Sequence, residues 1–216
     1  MNADFSSIFG VLAAGALTAI QVALGAAAIA ALAGLLLALA CVFARGEWVR
    51  ILIGIYVEWM RNVPALAHLF LLYFGLAFVG IRLSPKAAAI LGLGAVGAAV
   101  LCDVFTAGMR ALHVGQREAA LAVGLTPSQA LRHVLLPQML RLTLPAVGNY
   151  VSQLVKDTSI ASAIAAPEIM FYARNLVTST FQTPVIYGTA MLIYACIVLP
   201  TSWLFVRAEQ RLGAGR

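Results

Sequence analysis

An all-α integral membrane protein with about five transmembrane helices is what this chain encodes, and three observations carry that reading. Of 216 residues, 62% are hydrophobic and only 10% are charged, with a mean hydropathy of +0.97. A soluble domain of this length would lack the polar surface to cover itself. Apolar runs recur along the chain, each near or above the ~20 residues that cross a bilayer. The basic residues flank those runs and form no separate module, so the net charge of +6 records membrane topology and is weak support for nucleic-acid binding.

The spans are expected at about 14–42, 51–79, 86–109, 142–166 and 184–206 within one transmembrane domain covering 1–216. The first run is longer than one crossing needs, so it either begins along the membrane surface or tilts. Its start, Met1-Asn2-Ala3-Asp4, lacks the basic region of a cleaved signal peptide, and the span is expected to be retained. Gly15, Gly25 and Gly34 in the first span, and Gly92, Gly94 and Gly97 in the third, allow close helix approach. Packing inside one bundle and a seam between subunits are both open for them. Cys41, Cys102 and Cys196 have no CxxC spacing and read as small core hydrophobes.

Orientation follows from the basic residues. Arg45, Arg50, Arg110, Arg117, Arg132, Arg141, Arg207, Arg211 and Arg216 flank one face, while Arg82, Lys86 and Arg174 lie on the other. The richer face should be cytoplasmic, which puts the N-terminus outside and the C-terminus inside.

Charges within spans cost at least about 2.5–3.5 kcal/mol each on insertion scales, so each needs a reason. Glu58 and Arg61 are three apart on one helical face, where they either pair with each other near the headgroups or face a translocation path. Pro64 should loosen the helix just after them. Asp103, late in the third span, either reaches water or caps a neighbour. Lys156, Asp157, Thr158 and Ser159 interrupt the fourth span near its middle. Adjacent helical residues diverge, so a local break is expected, lining a cavity or holding an interface between subunits. A zwitterionic solute would find an acceptor in Asp157 or Glu58, and donors in Lys156, Arg61, Thr158 or Ser159.

The connection at about 110–141 reads as two short helices at an angle. The first, about Gln116–Val123, has Glu118 near its start, where the helix dipole favours an acid, and the strong helix formers Ala119 and Ala120. Gly124 falls where a left-handed C-cap belongs. Thr126, Pro127 and Gln129 form a T-P-x-Q start with a capping box, preceded by Leu125 as a hydrophobic staple. The second helix is expected to run to Leu136 and stop at Pro137. Such a pair asks for cover from the bundle, from headgroups or from a partner.

Here the sequence resembles a known family. Glu118-Ala119-Ala120, three residues, Gly124, nine residues, then Val134, one residue and Leu136-Pro137 is similar to the EAA motif of membrane subunits of prokaryotic ABC importers that depend on a binding protein, with Val134 where Ile is usual. Glu58-Trp59-Met60-Arg61-Asn62-Val63-Pro64, Tyr73-Phe74-Gly75-Leu76, Gly115-Gln116-Arg117, Lys156-Asp157-Thr158-Ser159 and Arg207-Ala208-Glu209 resemble its polar amino acid subfamily. The resemblance spans about 15–212. It departs from the family pattern at Asp103 and Thr106, where Glu and Arg are frequent, and at His113, near the usual Pro.

The resemblance implies the type I ABC importer (MetI-like) permease fold, with Glu118, Ala119, Ala120, Gly124, Leu136 and Pro137 coupling to an ATPase. It implies a second permease subunit, as homodimer or heterodimer, an extracytoplasmic solute-binding protein, and a bacterial inner-membrane location. The chain itself should bind no cofactor, since neither Lys86 nor Lys156 follows a Gly-rich phosphate loop; ATP and Mg would sit on the partner ATPase. The solute would be a polar amino acid such as glutamate, glutamine, arginine, histidine or cystine. Methionine transport is the nearest alternative, and a stand-alone channel, a secondary carrier or a membrane scaffold the more distant ones. An intramembrane hydrolase is disfavoured, because no nucleophile–base pair occurs at a recognisable spacing, and His68, His113 and His133 lack partners at metal-ligand spacing.

Overall fold

A computed structural model describes residues 4–44 and 46–213; Met1–Ala3, Arg45 and Arg216, used above for the N-terminus and orientation, lie outside them. The helices are α1 (Phe5–Phe43), α2 (Glu47–Asn62), α3 (Ala65–Phe78), α4 (Pro85–Ala111), α5 (Val114–Ala122), α6 (Pro127–Ala130), α7 (Leu136–Asp157), α8 (Ile169–Thr180) and α9 (Thr183–Gly213). By length and apolarity α1, α4 and α9 each suffice to cross a membrane, and α2 with α3 passes the same test only as a bent pair, a broken span or a re-entrant loop. With 22 residues, α7 reaches about 33 Å at ~1.5 Å per residue. Its polar side chains leave it outside the apolar set.

The long first run is one continuous helix of 39 residues, and α1 is the centre of the bundle. Its glycines meet neighbours of the same chain. A Cβ on Gly34 would lie 2.9 Å from Leu101 Cβ, and one on Gly15 would lie 2.7 Å from the Glu168 backbone carbon. On α4, a Cβ at Gly97 would strike both Ala30 and the Tyr150 hydroxyl. These small residues therefore serve packing within the subunit. Around them Ala30, Ala38, Leu101, Cys102, Phe105 and Met139 form one core, and Val22, Ala26, Leu93 and Leu154 another.

The second expected span is not a single rod. Its two helices meet at 105°. Pro64 removes a donor and forces Val63 into an extended backbone (φ −98°, ψ 137°). Pro64 thus breaks the span outright, and α3 contains a π-turn over Leu71–Gly75.

Pro137 does not end the second loop helix. The chain stays helical from α6 through a π-turn at Leu131–Leu135 into α7. The Leu136 amide donates to the Leu131 carbonyl, five residues back. That wider turn relieves the clash a proline ring makes with the carbonyl four residues before it in a regular helix. The loop's second helix and the fourth span are one element.

Between the fourth and fifth spans lies an additional helix, α8. Glu168 caps it: its carboxylate accepts from the Met170 amide at 2.9 Å and the Phe171 amide at 2.7 Å.

Candidate functional site

Two regions carry exposed candidate groups: the helical loop at one end of the bundle and the exposed face of α7. The loop is held by its own backbone. Leu125 N–H donates to Ala120 O at 3.1 Å and Gly124 N–H to Leu121 O at 3.0 Å. Together these make a Schellman cap, with Gly124 at φ +85° in the position that penalises a side chain. Thr126 and Gln129 then close the expected capping box: Gln129 N–H to Thr126 Oγ1 at 3.3 Å, Thr126 N–H to Gln129 Oε1 at 2.9 Å.

The first loop helix starts earlier than expected, at Val114, because His113 caps it: Nδ1 accepts from the Gly115 amide at 3.1 Å. This gives a physical reason for a histidine at that departure. Glu118 and Ala119 are exposed, Ala120 is buried, and Leu136 and Pro137 are half-buried at the base of α7. Val114, Leu121 and Val123 are exposed too, at 65%, 39% and 78%. A polar connection between membrane spans that shows three large apolar side chains is a surface that calls for cover.

On α7, Asn149, Gln153 and Lys156 are all exposed and lie at spacings of four and three, which places them in one row. Gln153 donates to Asp157 Oδ1 at 2.9 Å, and Lys156 makes no hydrogen bond among the described residues. The helix tightens at Thr158–Ile164, as the expected break. Thr158 itself is fully buried, and its hydroxyl donates to Val155 O at 2.7 Å. That bond competes with the regular ladder at the break. Ala165, in the left-handed region at φ 59°, ends the break. Ser159 is half-buried and shares a shallow hollow with Lys156, Met170, Met191 and Tyr194.

Glu58 and Arg61 do not pair. Arg61 forms an ion pair with Asp103 on α4, and Glu58 instead accepts from Asn62 Nδ2 at 2.8 Å. Asp103, its side chain still 45% exposed, ties the broken second span to α4 through this pair. Residue type and local spacing favour the nearer partner, but the packing of α2 on α4 supplies the one Arg61 takes.

Glu168 was not singled out from the sequence. It is fully buried, and beyond its two amide bonds it accepts from the Tyr194 hydroxyl at 2.6 Å. A lone acid after Ala-Pro between two apolar runs was the available signal, but glutamate is not among the favoured N-caps.

A multi-pass helical bundle with a doubly capped helical element between two of its crossings is the architecture of a transporter membrane subunit. The chain matches, over residues 30–214, the family described as the binding-protein-dependent transport system inner membrane component. It belongs to that family and is a multi-pass inner-membrane protein. It is 35% identical over 157 residues, 73% of each chain, to the probable glutamine ABC transporter permease protein GlnM of Bacillus subtilis (strain 168). It is 30% identical over 184 residues to the glutamine transport system permease protein GlnP of Escherichia coli (strain K12), covering 83% of this chain and 84% of that one. Among solved structures, one described as an amino acid ABC transporter with histidines superposes with a TM-score of 0.86 at 28% identity, over 98% of this chain and 100% of its own. The fold is accordingly that of a type I ABC importer permease.

Proposed function

We propose that this chain is the permease subunit of an ABC importer for polar amino acids. In this reading it pairs with a second permease subunit and works by alternating access powered by a separate ATPase. ATP and Mg act on that ATPase, and a binding protein delivers the solute on the opposite face. The relatives named for glutamine favour polar amino acids over methionine.

The observation that carries the reading is the exposed, doubly capped loop with Val114, Leu121 and Val123 uncovered. Its rigidity suits a lever, because both ends of the turn at Gly124 are fixed by hydrogen bonds. Glu118, Ala119 and Gly124 form the contact with the ATPase, the buried Ala120 packs beneath them, and Leu136 and Pro137 join that contact to α7. The loop face is then cytoplasmic, the N-terminus outside and the C-terminus inside. The ATPase can shift the permease only as far as its contacts differ between the two states.

The row of Asn149, Gln153 and Lys156, continued by Asp157 and Ser159, supplies the wall of the solute path, since a polar helix face has no stable place against lipid. Arg61 and Asp103 satisfy each other and act as a tie, and Thr158 shapes the break.

The test is purification of the chain from its native membrane in mild detergent, beside Gly124→Asp, with partners identified by mass spectrometry. An ATPase with phosphate-loop motifs should accompany the wild type and be weakened or lost in the variant. A chain that purifies alone while other complexes in the same preparation stay intact would refute the reading.

A further inference from the structure

Beside the root of the loop lies a cleft of about 560 Å3, within the ~300–1,000 Å3 range of small-molecule sites. Three elements build it. His113 and Gln116 come from the start of α5, Gln138 and Arg141 from α7, and Glu209 from the end of α9. Gln138 Nε2 donates to Gln116 Oε1 at 3.1 Å across the cleft. Arg141 and Glu209 are both exposed, and neither makes an ion pair or hydrogen bond among the described residues. One cleft therefore presents an uncommitted guanidinium and an uncommitted carboxylate, and two amides and an imidazole line it as well.

We infer that this cleft binds the zwitterion of an α-amino acid, carboxylate on Arg141 and ammonium on Glu209, and that occupancy restrains the importer from the side where solute is released. The inference rests on the proposed function for that last clause. The chemistry is a match of opposite charges. Arg offers a planar donor fork for a carboxylate, and Glu accepts from an ammonium with charge-assisted strength. The amides of Gln116 and Gln138 add neutral donors and acceptors for a polar side chain. A ligand here spans α5, α7 and α9 together. It would favour whichever state holds those three elements as they stand, and restraint follows by linkage.

The experiment uses the whole importer in proteoliposomes with the ATPase outward and the binding protein and L-glutamine enclosed. ATP hydrolysis is followed while L-glutamine is added outside. Hydrolysis should fall, and the midpoint should rise about tenfold or more in Arg141→Gln and in Glu209→Gln, each scored against its own rate without added amino acid. External 4-carbamoylbutanoate, which lacks the α-ammonium, should leave the rate unchanged. No inhibition, equal inhibition by 4-carbamoylbutanoate, or an unchanged midpoint in both variants overturns the site; the last places the effect along the α7 row instead.

Loss of stimulation by the binding protein before any external addition would count against the proposed function, not against the cleft. Saturation-transfer NMR of L-glutamine on the complex in nanodiscs reads the cleft without transport. A signal lost in Glu209→Gln supports the site, and no signal on the wild type overturns it. If Arg141 and Glu209 serve only to pair with each other in another state, both variants change the basal rate and no ligand signal is seen, which also overturns it.

Discussion

Gly124 offers the sharpest test of how the loop works, because its role separates into two parts that the structure keeps apart. At φ +85° the backbone is left-handed. A Cβ there would meet nothing within 4 Å, so Gly124→Ala adds no clash. What it adds is the left-handed penalty of an L-residue, about 1–2 kcal/mol, which is about a 5- to 30-fold shift away from the capped turn. Asparagine tolerates this region better, so Gly124→Asn should recover part of the loss. The assay is ATP hydrolysis stimulated by the binding protein in the reconstituted importer, with thermal unfolding of the same samples as control. The expected order is wild type, then Asn, then Ala, with unfolding nearly unchanged because the turn lies outside the helical core. Equal activity of Ala and wild type, or an Asn variant as impaired as Ala, would refute the idea that the cap conformation carries coupling.

Three further outcomes follow from the geometry. Pro137→Ala removes the ring that makes the π-turn at Leu131–Leu135 favourable; closing it to a regular helix rotates the loop by about 100° relative to α7, so coupled hydrolysis should fall while thermal stability is kept or raised. Arg61→Ala and Asp103→Ala should each destabilise the subunit in detergent more than the double variant, with a coupling of about 0.5–3 kcal/mol in a double-mutant cycle; additive losses would remove the tie between α2 and α4. Glu168→Ala strands two amides and the Tyr194 hydroxyl, at about 1–3 kcal/mol for each group left unpaired, and should lower the unfolding temperature more than Tyr194→Phe, which removes one donor; equal losses would mean the α8 cap adds little.

What was legible in the sequence was what short-range chemistry decides. The Gly124 cap, the Thr126–Gln129 box and the break after Asp157 all follow from residues within a few positions of one another, and all are in the structure. What was not legible depends on direction in space. Spacing alone offers Arg61 the neighbour Glu58 or a solute path, yet its partner Asp103 is 42 positions away on another helix. A proline in a regular helix is a stop, which is the expectation at Pro137; a π-turn upstream supplies an escape that no composition reveals. Glu168 was passed over because its value comes from Tyr194, on another helix, and from Gly15, which lets α1 approach its backbone.

The same distinction explains how the polar groups divide. Arg61 with Asp103, and Glu168 with Tyr194, find partners inside the subunit and hold helices together. Asn149 and Lys156 on α7, and Arg141 with Glu209 in the cleft, make no hydrogen bond or ion pair among the described residues, and all four are exposed. In a bilayer a charged group without a partner is costly, so exposed polar groups on a spanning helix point to water or to another chain along that face. α7 joins that face directly to the loop, because Pro137 widens the helix without ending it. From Pro127 the chain stays helical to Asp157, so one continuous element runs from just beyond the Gly124 turn to Asn149, Gln153 and Lys156.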